Sequence, residues 1–139
     1  MSGSLVGGRS LLGDLLGAGG TAAVFRAVDT RGEAVVAVKV LHAHLATDAA
    51  AAERFLLEAQ ASTGLTHRNL VPVLDSGLDG PLVWLAQELV DGVTLAELVA
   101  ATGPLPQADA LAVLAGVLAG LTHAHVRGVL HLDLSASNV

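Results

Sequence analysis

Three apolar segments rich in valine, leucine and alanine fill most of residues 10–41, and only short polar or glycine-rich stretches separate them. Segments of this length and composition are typical of β-strands. Connections this short reverse the chain, because a crossover between parallel strands needs about a dozen residues or more. The segments, residues 10–16, 23–28 and 34–41, therefore predict an antiparallel sheet.

The rest of the chain adds one helix and two strands and then becomes helical. The helix follows Thr47 or Asp48, either of which can cap it. A composition change after Gly92 separates a sheet-containing part, residues 1–90, from a helical part, residues 91–139. We therefore expect an α+β fold in which a five-stranded antiparallel sheet with one helix precedes further helices. The predicted elements are a helix over 49–62, strands over 70–75 and 82–87, and helices over 94–101 and 107–127.

Composition and charge exclude several classes of function. Thirteen acidic and seven basic residues give a net charge of −6, so nucleic acid and anionic lipid are not expected partners. The sequence has no cysteine, which excludes disulfides, thiolate metal sites and a thiol nucleophile. The first residues lack a basic stretch followed by an apolar one, and we expect a cytoplasmic protein.

Residues 110–126 contain no charged side chain, and this segment is the one that resembles a membrane span. Its length lies at the short end for a span, and two glycines and two histidines interrupt its apolar character. We therefore expect a buried core helix and no membrane contact.

A glycine-rich stretch, residues 16–24, lies between two predicted strands. Small residues allow backbone N–H groups to approach a triphosphate closely, which makes the stretch a candidate phosphate-binding loop. An ordinary glycine-rich hairpin turn explains the same residues equally well.

Strand alternation in residues 35–39 places Ala37 and Lys39 on one face of the sheet and Val36 and Val38 on the other. A lysine in an apolar strand needs water or a negative partner, because an unpaired buried ammonium is costly. Glu58 on the predicted helix is a candidate partner. The alternative is an edge lysine in solvent, with Glu58 pairing with Arg54 one turn earlier on its own helix.

The last residues, His131 to Asn138, read H-x-D-L-x-x-x-N, the pattern of a kinase catalytic loop. Together with five earlier motifs, this loop makes nearly the whole chain resemble the N-terminal part of a bacterial serine/threonine protein kinase of the eukaryotic-like type. The earlier motifs are the glycine-rich stretch 17–24, the segment 36–39, Glu58, the segment 67–71 and the hinge-like segment 87–92.

The resemblance implies ATP and Mg²⁺ as cofactors and a protein serine or threonine as phosphate acceptor. It implies that Lys39 holds the α- and β-phosphates and is fixed by Glu58. It implies that Asp133 orients the substrate hydroxyl and that Asn138 binds magnesium. Gln87 would be the gatekeeper residue. The residues implied in nucleotide binding are Leu16, Gly17, Ala18, Gly19, Gly20, Val24, Ala37 and Lys39, with backbone groups of Glu88 and Val90 for the adenine edge.

The chain also departs from the family pattern. Leu132 replaces the usual arginine of the catalytic loop, and Ser135 replaces the lysine near the γ-phosphate. Ala22 occupies the third glycine position, which ATP binding should tolerate. No D-F-G motif follows Asn138, so we expect the 139 residues by themselves to bind ATP weakly and to have no kinase activity.

Two other functions remain open at this point. The loop with Ser135 also resembles that of aminoglycoside or choline phosphotransferases, which act on small molecules. A pseudokinase or truncated module that binds a nucleotide or a partner without catalysis needs no further motif.

Overall fold

The computed structural model describes residues 1–131 and 134–139, which form two compact units. The first unit comprises Met1–Leu65 and Val71–Leu89, and the second comprises Thr66–Leu70 and Val90–Val139. Residues 66–70 belong to the second unit, where the side-chain amide of Asn69 donates a hydrogen bond of 2.9 Å to the carbonyl of Gly116. The division of the chain at residue 90 stays a prediction.

The described part of the first unit contains a six-stranded antiparallel sheet with the order β1-β2-β3-β4-β6-β5. The antiparallel sheet that the sequence predicted is confirmed, although the structure has one strand more. The extra strand is only two residues long, too short to show alternation, and left-handed backbone at Gly7 and Gly8 turns it back onto β2. The strands are β1 (Leu5–Val6), β2 (Ser10–Ala18), β3 (Ala22–Asp29), β4 (Val35–Leu41), β5 (Val73–Asp79) and β6 (Leu82–Glu88).

The position of β5 corrects the sequence-based prediction, which placed the strand over 70–75 and a turn over 77–81. The chain turns later, at Gly80, whose φ of +56° favours glycine. Gly77 lies inside the strand opposite Trp84, where a Cβ would come within 3.3 Å of the indole. The glycine therefore packs tightly against the indole within a strand and is not a turn residue.

The described helices number four, with one short 3₁₀ helix near the C-terminus. The first helix was not predicted, because one turn is too short for a periodic pattern. Asp48 caps the second helix by accepting hydrogen bonds from the N–H groups of Ala50 and Ala51. Thr94 and Glu97 form a capping box at the third. The helices are α1 (Ala43–Ala46), α2 (Ala49–Thr63), α3 (Leu95–Thr102), α4 (Gln107–Val126) and the 3₁₀ helix (Ala136–Asn138).

The main hydrophobic core of the first unit lies on one face of the sheet. Val36 and Val38 of β4 lie at its centre, whereas Ala37 and Lys39 are not part of it. This confirms the prediction that the two valines lie on one face of the sheet and that Ala37 and Lys39 lie on the other. The core is aliphatic except for two aromatic side chains. Its buried members are Val6, Leu12, Phe25, Ala27, Val36, Val38, Val40, Trp84 and Ala86.

Helix α4 differs from the buried core helix that its composition predicted. Its buried residues are Gly120 and Ala124, whereas Leu111, Leu114 and Leu118 are each more than half exposed. By length and hydropathy alone, α4 is also the one helix in the described residues that would be able to cross a membrane. Within those residues, Gly116 and Gly120 lie against Asn69, and these three leucines face outward.

Candidate functional site

The glycine-rich stretch forms the hairpin that joins β2 to β3. Gly17 lies opposite Val24, and the N–H of Gly19 donates to the carbonyl of Ala22 at 2.9 Å. None of Gly17, Gly19 and Gly20 has a positive φ, and a Cβ at any of them would meet no atom within 4 Å. Neither backbone conformation nor packing among the described residues therefore requires these glycines. This observation favours a loop whose lack of side chains lets a ligand approach the backbone over an ordinary glycine turn.

Lys39 lies in β4, half-buried, on the face of the sheet opposite the main core. Its Cα is paired with Val24 of β3 on one side and with Leu85 of β6 on the other. Ala37, two residues earlier, is buried on the same face. The sheet thus brings Gly17, Val24 and Lys39 into one row across three strands.

The predicted contact between Lys39 and Glu58 is not formed in this structure. Glu58 is exposed on α2, which packs on β5 and β6. Among the described residues, the ion pair within 4.0 Å joins Arg9 to Asp29 and involves neither Lys39 nor Glu58. The described residues contain no ion pair between Glu58 and a basic residue of its own helix either. The Lys39–Glu58 pair therefore requires a different position of α2 or of the two side chains.

The other residues predicted for nucleotide binding lie at the ends of their elements. Leu16 is about half exposed near the end of β2. The N–H of Glu88, the last residue of β6, donates to the carbonyl of Pro72 at 3.0 Å. Val90 belongs to the second unit and is 63% exposed.

The second unit contains the predicted magnesium ligand. Asn138 ends the 3₁₀ helix, and its N–H donates to the carbonyl of Ser135 at 3.0 Å. The side-chain amide oxygen of asparagine is a ligand type that Mg²⁺ accepts. Asp133 and Leu132 lie outside the described residues. Within residues 1–131 and 134–139, no group of three or more histidine or acidic side chains is placed to bind a metal.

Lys39 lines neither of two cavities in the first unit, although Ala23 of the glycine-rich stretch lines the larger one. The larger, of about 230 Å³, is mainly apolar and is lined by residues of β3, β4 and β6 and by His42 at the start of α1. The smaller, of about 30 Å³, lies beside Arg9, Asp29 and Trp84. Neither is lined by a residue predicted to bind the nucleotide.

Sequence reasoning missed one residue at the glycine-rich hairpin. The Nε2 atom of His42 lies 2.7 Å from the carbonyl oxygen of Gly19. Because the two residues are 23 positions apart, no local pattern reveals the contact. Only the pairing of β3 with β4 brings them together.

The ordered motifs and this sheet geometry agree with the comparison to protein families. The family model described as the protein kinase domain matches residues 11–139. The chain belongs to the protein kinase domain family. Of the two families that its catalytic loop resembles, this match is to the protein kinases and not to the small-molecule phosphotransferases.

Individual kinases match over nearly the whole chain. Serine/threonine-protein kinase PknL of Mycobacterium bovis is 41% identical over 136 residues, which cover 98% of this chain and 34% of PknL. Serine/threonine-protein kinase PksC of Streptomyces coelicolor is 42% identical over 144 residues, covering 98% of this chain and 26% of PksC. The chain thus spans about a third or less of these curated relatives.

A solved kinase domain has the same fold. The crystal structure of the Mycobacterium tuberculosis PknI kinase domain superimposes with a TM-score of 0.88 at 30% identity, and it covers all of this chain and 56% of that one. The chain therefore corresponds to the N-terminal part of a kinase domain, and the predicted kinase fold is confirmed.

Proposed function

We propose that this chain binds ATP with Mg²⁺ as the N-terminal part of a serine/threonine protein kinase domain. In the complete domain, the γ-phosphate is transferred to a serine or threonine hydroxyl of a protein. The observation that carries the proposal is the row of Gly17, Val24 and Lys39 on the sheet face opposite the main core. Family membership and the kinase relatives support it.

The donors of the first unit fit a nucleotide triphosphate. Lys39 is half-buried, so its ammonium meets a phosphate in a less hydrated environment than that of a surface lysine. The bare hairpin around Gly19 lets backbone N–H groups approach the phosphate oxygens. Ala37 and Val24 supply a small apolar surface for the adenine ring on the same face.

The remaining roles follow the family pattern residue by residue. Glu58 fixes Lys39 once the two side chains meet, the carbonyl of Glu88 and a backbone group of Val90 bind the adenine edge, and Asn138 binds Mg²⁺. Asp133 orients the acceptor hydroxyl. Magnesium supplies charge neutralisation between the phosphates when it is bound.

A labelling experiment tests nucleotide binding directly, because Lys39 is the only lysine of the chain. An amine-reactive reagent modifies two kinds of group, the Lys39 ammonium and the amino terminus. We expect ATP with Mg²⁺ to protect Lys39 and to leave the rate at the amino terminus unchanged, as measured by peptide mass spectrometry. Equal rates at Lys39 with and without saturating ATP would contradict the proposal.

A binding titration with two matched variants checks the role of the charge. Lys39→Met should weaken ATP binding by about tenfold to a hundredfold, since an ion pair with phosphate in a partly buried site is lost. Arg31→Met removes the same charge from an exposed turn between β3 and β4 and should leave the affinity within about twofold. The same loss in both variants would indicate nonspecific attraction of an anion.

A further inference from the structure

His42 makes two hydrogen bonds to the tip of the glycine-rich hairpin. Its Nε2 lies 2.7 Å from the carbonyl oxygen of Gly19, and its backbone N–H donates to the carbonyl of Thr21 at 2.9 Å. A carbonyl oxygen only accepts hydrogen bonds, so the ring nitrogen that faces it is the donor. One residue thus holds the hairpin on both sides of Gly20.

The same residue begins α1. The carbonyl of His42 accepts hydrogen bonds of 2.9 Å from the N–H groups of Leu45 and Ala46. Helix α1 packs in turn on α2, the helix that carries Glu58. His42 therefore connects the glycine-rich hairpin to the helices of the first unit through its side chain, its N–H and its carbonyl.

The hairpin has few other contacts that would fix its conformation. Its glycines would accept a Cβ without meeting any atom within 4 Å, which shows how little surrounds them. A glycine segment also loses more conformational entropy on ordering than any other. A hydrogen bond that orders the segment before a ligand arrives lowers that entropic cost of binding.

We propose that His42 is a positioning residue that holds the glycine-rich hairpin in the conformation that receives the triphosphate. The proposal rests on the proposed ATP binding for its consequence, although the contact itself is independent of any nucleotide. It predicts that loss of the imidazole loosens residues 19–21 and weakens ATP binding, while the sheet stays folded.

Hydrogen exchange of the chain without nucleotide tests the contact. In His42→Ala, the amide of Gly19 should exchange about threefold to tenfold faster than in the wild type, the range expected for one lost hydrogen bond. His42→Gln places an amide N–H near the former Nε2 and should restore much of the protection. The control is His44→Ala, because the His44 ring stacks on His42 at 5.8 Å but bonds neither Gly19 nor Thr21.

Two exchange results would overturn the proposal. One is equal exchange at Gly19 in the wild type and in His42→Ala. The other is equal acceleration in His42→Ala and His44→Ala, which would assign the effect to ring stacking. Circular dichroism melts of all variants identify any general loss of folding, and His42→Gln keeps the test decisive if His42→Ala unfolds.

Titration with ATP and Mg²⁺ tests the consequence. His42→Ala should bind about threefold to tenfold more weakly than the wild type, with His42→Gln and His44→Ala within about twofold. Unchanged affinity in His42→Ala, together with faster exchange, would overturn the positioning role. Failure of the wild type to bind ATP at all would instead reject the proposed function. The exchange data would still test the contact between His42 and Gly19.

Discussion

Gly7 lies directly against the indole ring of Trp84. A Cβ on Gly7 would overlap Cζ2 of Trp84. A Cβ on Gly77 would come 3.3 Å from the same atom. Trp84 is the only tryptophan of the chain and is 6% exposed, so two glycines create the space for the largest side chain of the core.

Replacing Gly7 by alanine should destabilise the first unit. Its φ is +61°, a left-handed conformation that costs a residue with a Cβ about 1–2 kcal/mol. Overlap with Trp84 adds about 1–3 kcal/mol, because the ring or the strand must shift. Denaturant unfolding followed by tryptophan fluorescence measures the change, since Trp84 reports on this unit alone.

Gly8→Ala is the matched control for this variant. Gly8 has nearly the same φ, +64°, but a Cβ there would meet nothing within 4 Å. Gly8→Ala should lower the free energy of unfolding only by the cost of the left-handed conformation, about 1–2 kcal/mol. Equal losses in the two variants would show that contact with Trp84 contributes nothing.

Two glycines of α4 should respond in opposite ways to alanine. At Gly116 a Cβ meets the side-chain nitrogen of Asn69 at 3.7 Å, an ordinary contact, so Gly116→Ala should stabilise the helix by about 0.5–1 kcal/mol. At Gly120 it meets the backbone oxygen of Asn69 at 3.0 Å and Leu70 at 3.3 Å. Gly120→Ala should therefore be less stable than Gly116→Ala by about 1–2 kcal/mol.

Thermal unfolding followed by circular dichroism at the helical wavelength measures both α4 variants. Hydrogen exchange at Leu70 adds a local readout, because that residue contacts the Gly120 position. Equal stabilisation by the two substitutions would mean that the segment 66–70 does not pack closely on α4.

Asp48→Ala should lower the stability of the first unit by about 0.5–2 kcal/mol, since the carboxylate caps α2 through the N–H groups of Ala50 and Ala51. Thr47→Ala is the comparison, because its hydroxyl donates to the carbonyl of His44 and caps no N–H of α2. Urea unfolding of both variants measures the two losses of stability, and the loss should be larger for Asp48→Ala. A larger loss for Thr47→Ala would show that Asp48 is not the residue that caps α2.

Acidification should loosen the contact between α4 and the segment 66–70. Burial, the Arg127 cation and His67 all lower the pKa of His123. The neutral ring is favoured in the folded state, so its stabilising contribution is present above the unfolded pKa, about 6.5, and is lost as the pH falls through the lower folded pKa. The rings of His67 and His123 lie 4.9 Å apart, and the Nδ1 of His67 accepts from the N–H of Asn69.

Hydrogen exchange at Asn69, corrected for intrinsic rates, measures this effect between about pH 7.5 and pH 5. Protection should decrease on acidification in the wild type and change less in His123→Gln. His125→Gln, an exposed position on the same helix, should behave like the wild type. Protection that is independent of pH in the wild type would refute the coupling.

The regular parts of the fold were predictable because local chemistry decides them. Alternation along β4 is a property of any strand, and it placed Lys39 and Val38 on opposite faces before any partner strand was known. Asp48 at the start of α2 and the break before Gln107 follow from capping and from proline. The ordered motifs then indicated the kinase family, which the family match confirms.

The misplaced elements depend on contacts between distant residues. Gly77 is a residue type common in turns, yet the pairing of β5 with β6 places it in a strand opposite Trp84. The strand β1 exists because it pairs with β2, and two residues carry no periodic signal. Three leucines of α4, Leu111, Leu114 and Leu118, indicate a core position, but the described residues leave each of them more than half exposed.

The sequence by itself determined the antiparallel sheet, the helix that carries Glu58, the glycine-rich hairpin and the position of Lys39 on its strand. These follow from spacing, capping and turn chemistry within a few residues of the chain. Only the tertiary structure decided that His42 bonds Gly19, that Glu58 forms no ion pair with Lys39, and that two glycines lie against Trp84. Such contacts depend on strand register and helix packing, which join residues that no local pattern links.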